Sequence, residues 1–220
     1  MAKAVRTLQA VIDEILDARR TVSAKRSVLT AMSGIDAGGK GYFTERLVGA
    51  LQDKGVHAVA INVDAWLNID RFDASGPPEH YYNHAIRFKE MFAETVLPLR
   101  DQRSLRVEIN YAEETSTEYE RRIYEFADVD VIALEGIYLL KREFQAHYDR
   151  SVWIECGFET ALERALARGQ EGLPPEETTR DYRDIYNPAQ EIHFHRDNPK
   201  GAATLLVNND ARLGAITWPG

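Results

Sequence analysis

A glycine-rich loop between residues 34 and 41 constrains the fold of this chain more than any other part of the sequence. Its residues, Gly-Ile-Asp-Ala-Gly-Gly-Lys-Gly, fit the pattern G-x-x-x-x-G-K. An apolar run over 28–32 precedes the loop, and apolar residues at helical spacing follow it over 42–54. A strand, a glycine-rich loop and a helix in this order are typical of a site that holds phosphate groups.

The residue types in this loop indicate how it binds phosphate. Glycines let consecutive backbone N–H groups point at phosphate oxygens, and Lys40 bridges the outer phosphates as a point charge. Gly41 stands where a serine or threonine usually follows the lysine, and that hydroxyl normally ligates magnesium. The sequence leaves open whether this change weakens magnesium binding or activity. The predicted contacts to the phosphates of ATP come from Gly34, Asp36, Ala37, Gly38, Gly39, Lys40, Gly41 and Tyr42.

Further apolar runs alternate with helical patterns along the chain. The runs are at 56–63, 130–134, 151–156 and 204–207, and the helical stretches lie near 158–168 and 178–195. This alternation predicts an α/β fold in which a parallel sheet has helices on both faces. We interpret residues 1–220 as a single domain with an N-terminal helix at about 4–20 and a small lid at about 164–182, where 169–179 reads as a loop.

Two carboxylates follow apolar strands directly. Asp64 comes after the strand that follows the phosphate loop, and Glu135 comes at the end of the run over 131–134. Ligands of open α/β sheets bind at the carboxyl ends of strands. Asp64 is therefore predicted to accept the proton of an attacking hydroxyl or to hold magnesium, and Glu135 to lie near the metal. The alternatives are a helix cap for Asp64 and a structural carboxylate for Glu135. Gly136 is predicted to let the chain turn closely beside the phosphates.

Several segments together resemble the uridine kinase family of P-loop kinases. The resemblance spans about 26–210 and rests on SGIDAGGKG, VDAW, IALEGIYLL, DYRDIYNPAQEIHF and ATLLVNN. The wider group includes the pantothenate kinase and phosphoribulokinase families. The resemblance implies a P-loop NTPase fold with ATP and Mg²⁺ as cofactors, Lys40 on the phosphates and Asp64 as the base. It also implies that Arg164 and Arg168 of the lid helix close on the transferred phosphate; the alternative is a solvated basic face.

Residues on the acceptor side are predicted from the same resemblance. Asn83 and His84 stand where the family usually has an aspartate and a histidine, so the carboxylate expected on ribose hydroxyls is an amide here. Tyr111 is a candidate to stack on a base, and Trp66 to wall the acceptor pocket. Plain packing is the alternative for both aromatic residues.

These features predict an ATP-dependent kinase that phosphorylates a hydroxyl of a small metabolite, preferably a nucleoside such as uridine. A pantothenate or sugar-phosphate kinase is the alternative within the same class. A nucleotide-binding regulatory protein with little turnover is the alternative from another class, because of Gly41 and Asn83.

Composition bears on the partners of the chain. A net charge of -8 argues against nonspecific electrostatic binding to the backbone of nucleic acids. No apolar run reaches the length of roughly 20 residues that spans a bilayer. We therefore expect a cytoplasmic protein whose partners are ATP and a small acceptor, with no nucleic acid and no membrane. A homo-oligomer remains open, because the sequence does not locate an apolar surface patch.

Overall fold

The computed structural model describes residues 3–5, 7–72, 77–169 and 172–214, and it contains two sheets. The strands are β1 Lys3–Val5, β2 Val28–Gly34, β3 Ala58–Asn62, β4 Leu105–Tyr111, β5 Glu120–Phe126, β6 Val131–Gly136, β7 Arg150–Glu155 and β8 Leu205–Asn208. Six of them form a parallel sheet in the order β1-β8-β7-β2-β6-β3, and β4 pairs with β5 in an antiparallel hairpin.

Helices cover both faces of the parallel sheet. They are α1 Leu8–Thr21, α2 Lys40–Gln52, α3 Pro77–His84, α4 Phe88–Met91, α5 Leu97–Gln102, α6 Phe158–Arg168, α7 Pro175–Asp181, α8 Asn187–Asp197 and α9 Pro199–Ala202. One apolar core lies under α1 and α2, and a larger one lies on the opposite face. The predicted α/β fold with a parallel sheet and helices on both faces is therefore confirmed. Among the described residues, no helix is long and apolar enough to cross a membrane.

The N-terminal helix begins later than the predicted residue 4. Residues Lys3–Val5 form a strand that pairs in parallel with β8, and the helix begins at Leu8. Thr7 caps it, since its side-chain oxygen accepts a hydrogen bond from the Ala10 N–H at 3.2 Å. The apolar spacing over 4–20 did not reveal this cap or the free sheet edge beside β8.

The helices after β7 differ in part from the predicted lid. The helical stretch predicted near 158–168 matches α6, but α7 already begins at Pro175, inside the loop predicted over 169–179. A proline at the first helical position is favoured because its missing N–H has no partner there in any case. Positions 170 and 171 lie outside the described residues.

The register of the central strands brings the predicted acids to one edge of the sheet. β2 lies between β6 and β7, and the glycine-rich loop follows β2 directly. Glu135 lies beside Met32 of β2 and beside Asn62 of β3. Asp64 follows in a 3-10 turn over Val63–Trp66, where the Asn62 side chain caps the Asp64 N–H at 2.8 Å. The carboxyl ends of three neighbouring strands therefore form the floor of one site.

Candidate functional site

The glycines of the loop are required by close backbone contacts. A Cβ at Gly34 would lie 2.7 Å from the Ile154 carbonyl oxygen of β7. Gly39 has a φ of 89°, and a Cβ there would lie 2.2 Å from Nδ2 of the Asn209 side chain. The loop therefore fits tightly between β7 and the chain after β8, as a loop that presents its backbone to phosphates must.

Arg164 and Asn209 hold this loop from outside. The Asn209 amide donates to the Gly38 carbonyl at 2.8 Å. Arg164 donates to the same carbonyl at 3.3 Å and to the Asn209 carbonyl at 2.8 Å. Arg164 was predicted to act on the transferred phosphate, and in the structure it braces the loop at the cavity wall. Asn209 lies within the family-like segment ATLLVNN, but its role depends on chain packing that no pattern shows.

Lys40 lies at the centre of the site. Its side chain is 7% exposed and its Nζ donates to the Ile35 carbonyl at 2.9 Å. Burial raises the pKa of both Asp64 and Glu135, and the positive charge of Lys40 partly opposes that rise. The structure thus brings the predicted lysine and both predicted acids together. Asp36 of the loop accepts a hydrogen bond from the hydroxyl of Tyr182, a residue that the sequence analysis missed.

The pKa of each of the two acids is raised above that of an exposed carboxylate. Burial raises the pKa of Glu135 to about 7, with Lys40 opposing and Asp64 and Asp36 adding to the rise. Burial also raises the pKa of Asp64. Both shifts reflect removal of a carboxylate from water beside other carboxylates. A raised pKa makes a carboxylate a better proton acceptor, as a base that acts near neutral pH requires.

The buried Glu135 carboxyl predicts a pH-dependent stability of the protein without nucleotide or metal. The unfolded carboxyl has the ordinary pKa of 4.5 and the folded one about 7, so the folded state binds more protons between these values. The free energy of unfolding therefore falls as pH rises from 4.5 through about 7, by up to about 3 kcal/mol in total. We expect Glu135→Gln to unfold at a higher denaturant concentration than the wild type at pH 8, in EDTA, with the difference shrinking at pH 4.

Glu125→Gln is the matched control for this experiment, because Glu125 is exposed on β5. Its stability should follow the wild type at both pH values. If the stability of Glu135→Gln depended on pH as strongly as that of the wild type, ionisation of Glu135 would not destabilise the folded protein. The raised pKa of Glu135 would then be contradicted.

The space beside Gly41 fits a magnesium ion held by carboxylates. A Cβ at Gly41 would lie 4.0 Å from Oε2 of Glu135, so the absent serine or threonine side chain leaves room directly beside this carboxylate. Oxygen ligands are those that magnesium prefers, and it usually retains waters and takes further ligands from phosphates. Within the described residues, no group of three His, Cys, Asp or Glu side chains forms a metal cage. Glu135 is the carboxylate beside this space that would supply an oxygen ligand, and Asp64 lines the same cavity.

A cavity of about 560 Å³ opens between the loop and the helices that follow α6. Its phosphate end contains predicted residues of the loop, both acids, Arg164 and Arg168. Tyr42 also lines it, although this side chain is largely exposed and accepts a hydrogen bond from Arg46 at 2.8 Å. The residues that line its other end were not predicted: Leu67, Arg71, Phe72, Tyr81, Glu114, Thr115, Leu173, Asp181 and Tyr186.

The structure does not bring Asn83 and His84 to this cavity. Both are exposed on α3, where Asn83 donates to Glu79 at 3.2 Å and the His84 ring lies 4.5 Å from that of His80. Tyr81, two residues earlier, lines the cavity instead. Asn83, two residues from Tyr81, points to a different face of α3, whereas His84, three residues from Tyr81, is exposed beside His80.

Neither Trp66 nor Tyr111 is among the residues that line the cavity. Trp66 is fully buried and its ring lies 6.0 Å from that of Tyr124 in the hairpin. Tyr111 ends β4, and the Arg122 guanidinium lies 3.2 Å from its ring centroid. These contacts fit the packing role that the sequence analysis gave as the alternative for both residues. Gly136 is required by packing as well, since a Cβ there would lie 2.1 Å from the Val63 side chain.

Arg168 lies at the C-terminal end of α6 and lines the cavity. Its charge lowers the pKa of Asp64 and of Glu135. The residue is exposed, and it lines the same cavity as Lys40.

Comparison with known proteins yields structural likeness alone. No profile of a protein family matches the chain, and none of the curated proteins matches it. A possible uridine kinase from Bacillus stearothermophilus superposes with a TM-score of 0.68 at 15% identity, covering 91% of this chain and 98% of that one. D-glycerate 3-kinase from Cryptococcus neoformans superposes with a TM-score of 0.65 at 11% identity, covering 96% and 97%.

A third structure, a candidate fructose transport system kinase from a Silicibacter species, superposes with a TM-score of 0.62 at 21% identity, covering 91% of this chain and 98% of that one. Fold and loop together define the P-loop class of nucleotide-binding folds. Within this class, the chain has the fold of the uridine kinase-like small-molecule kinases, which confirms the resemblance stated above at the level of fold.

Proposed function

We propose that this chain is an ATP-dependent kinase that transfers the γ-phosphate to a hydroxyl of a small metabolite. One observation supports it most: Lys40, Asp64 and Glu135 surround the mouth of a phosphate loop that opens into a cavity of about 560 Å³. A cavity of this size accommodates a small metabolite. A protein that only binds nucleotide needs no base for an acceptor hydroxyl, and Asp64 in the cavity wall is the candidate for that base.

The proposed mechanism assigns one task to each group. The backbone N–H groups of the loop and the side chain of Lys40 hold the β- and γ-phosphates. Asp64 accepts the proton of the acceptor hydroxyl, which its raised pKa favours. A magnesium ion held by Glu135 would neutralise charge on the phosphates. Arg168 stabilises charge on the transferred group, while Arg164 keeps the loop in shape.

The identity of the acceptor is a separate question. The preference for a nucleoside came from the resemblance to the uridine kinase family, and the acceptor-side residues predicted from it, Asn83, His84, Tyr111 and Trp66, are not among the residues that line the cavity. The cavity does contain aromatic side chains, Phe72, Tyr81 and Tyr186, and a buried cation, Arg71. The residues that line the cavity therefore support the reaction class more directly than a particular acceptor.

The experiment that tests the proposal is a magnesium-dependent ATP turnover screen. ADP release is followed with nucleosides, hydroxy acids, free sugars and sugar phosphates, each compared with a sample that lacks an acceptor. We expect at least one acceptor to raise turnover well above the basal rate, since phosphoryl transfer depends on a positioned hydroxyl. If the protein bound ATP but no acceptor raised the rate of ADP release, the alternative of a nucleotide-binding regulatory protein with little turnover would be favoured.

A further inference from the structure

Tyr182 contacts the phosphate loop from the helical segment that follows α7. Its hydroxyl donates a hydrogen bond to the Asp36 carboxylate. The residue is 1% exposed, so the ring lies behind the cavity wall and takes no part in the proposed mechanism. Arg164 and Asn209 bond to the loop at Gly38, two residues further on. Tyr182 therefore holds a different part of the loop from these two residues.

The loop turns sharply beside this contact. The Gly38 N–H donates to the Ile35 carbonyl at 3.2 Å. This bond closes a β-turn in which Asp36 and Ala37 are the two central residues. Ala37 has a φ of 49°, which lies in the left-handed region. Turns with a positive φ at the second central residue usually have Gly or Asn there, so an alanine adopts this conformation only at a steric cost.

Side-chain contacts fix the turn on both sides of Ala37. Tyr182 holds Asp36 directly before it, and the Asn209 amide donates to the Gly38 carbonyl directly after it. A residue in a sparsely populated backbone conformation persists when its surroundings fix it, and such residues cluster at ligand-binding sites. A carboxylate acceptor also makes a hydrogen bond stronger than a neutral acceptor does. The bond from Tyr182 is therefore suited to hold the turn.

The location of its partner distinguishes Tyr182 from another buried tyrosine. A buried tyrosine hydroxyl usually finds a partner, so a hydrogen bond alone defines no role. The Tyr82 hydroxyl likewise donates to a carboxylate, that of Asp197 at the end of α8, at 2.6 Å. Loss of the Tyr82 hydroxyl would weaken contacts between α3 and α8, whereas loss of the Tyr182 hydroxyl would release the turn of the phosphate loop.

We propose that Tyr182 is a positioning residue of the phosphate loop, whose hydroxyl holds the turn at Asp36 and Ala37 in the conformation that binds ATP. The inference rests on the proposed function, because it takes ATP as the ligand of the loop. It does not depend on the identity of the acceptor. A loop that is fixed before ATP arrives binds it more tightly, because less conformational entropy is lost on binding.

Tyr182→Phe tests this role, since it keeps the ring and its packing and removes the hydroxyl. We expect the Kd of a non-hydrolysable ATP analogue, measured by calorimetry with magnesium, to rise about tenfold. Tyr82→Phe is the matched control, because it also removes a buried hydroxyl that donates to a carboxylate. Both variants should unfold at a lower denaturant concentration than the wild type, but Tyr82→Phe should keep the wild-type Kd.

Ala37→Gly tests whether Tyr182 acts through the turn. A glycine takes a positive φ without the steric cost of a Cβ, so the turn depends less on the Tyr182 hydroxyl in this background. A double-mutant cycle compares the wild type, each single variant and the double variant. We expect Tyr182→Phe to raise the Kd by about threefold or less when combined with Ala37→Gly, against about tenfold with Ala37 present.

Two results would overturn the inference. One is a wild-type Kd in Tyr182→Phe, which would show that the loop binds ATP equally well without the hydroxyl. The other is an equal rise of the Kd with and without Ala37→Gly, which would show that Tyr182 does not act through the turn. A wild type that binds the ATP analogue but phosphorylates no acceptor would instead contradict the proposed kinase reaction and leave the role of Tyr182 standing.

Discussion

Asp64→Asn is expected to lower the rate of phosphoryl transfer by about 10²- to 10⁴-fold while leaving the affinity for ATP nearly unchanged. An amide has almost the same shape as a carboxylate but cannot accept the proton of the acceptor hydroxyl. Burial raises the pKa of Asp64, so its carboxylate is a stronger base than an exposed one. The measurement is kcat at saturating acceptor, together with the Kd for ATP by calorimetry.

The control for this variant is Asp53→Asn, because Asp53 is exposed at the end of α2. It should retain the turnover of the wild type. If Asp64→Asn transferred phosphate as fast as Asp53→Asn, Asp64 would not be the base and the proposed mechanism would be wrong.

Lys40→Met is expected to lower kcat/KM for ATP by about 10²- to 10³-fold, since it removes the cation that bridges the outer phosphates. A second effect follows from the position of Lys40 beside the two acids. Because its charge lowers the pKa of Asp64 and Glu135, both values should rise further in the variant. The residual activity should therefore need a more alkaline pH than that of the wild type. The pH profile of kcat/KM measures both effects.

Lys54→Met is the matched control, since Lys54 is exposed after α2. Loss of activity in Lys40→Met without any alkaline displacement of the profile would mean that Lys40 acts on the phosphates alone. Full activity in Lys40→Met would contradict the assignment of the loop.

The phosphate end of the site was predictable because short-range patterns encode it. Gly34, Lys40, Asp64 and Glu135 all lie at or just past the carboxyl ends of apolar strands, and parallel strands bring such ends to one edge. Strands β2 and β6 are buried along their whole length, so each is a continuous apolar run in the sequence. The helix over 158–168 was likewise predicted from its amphipathic spacing.

The acceptor end was not predictable from these patterns. The side chains that line it come from α3, from the turn before it, from the segment between β4 and β5, and from the helices after α6. The family resemblance selected Asn83 and His84, whereas the face of α3 that packs on the core selects Tyr81. Arg71 had no signal at all, because an arginine in a polar turn is ordinarily exposed.

Strand β5 was missed for a related reason. The strand begins with three charged residues, Glu120, Arg121 and Arg122, and contains no continuous apolar run. It lies on a hairpin that is separate from the parallel sheet. Ile109 and Tyr124 pack against the core from this hairpin, so long-range packing stabilises it beyond local propensity.

The measurement that tests the central claim most directly is transfer of label from ATP labelled at the γ-phosphate to an acceptor. The wild type and Asp64→Asn are incubated with magnesium and the acceptor panel, and the products are separated. The proposed function predicts label in a phosphorylated acceptor with the wild type and almost none with the variant. Label that stays in ATP or appears only as inorganic phosphate, for every acceptor and with ATP bound, would contradict it.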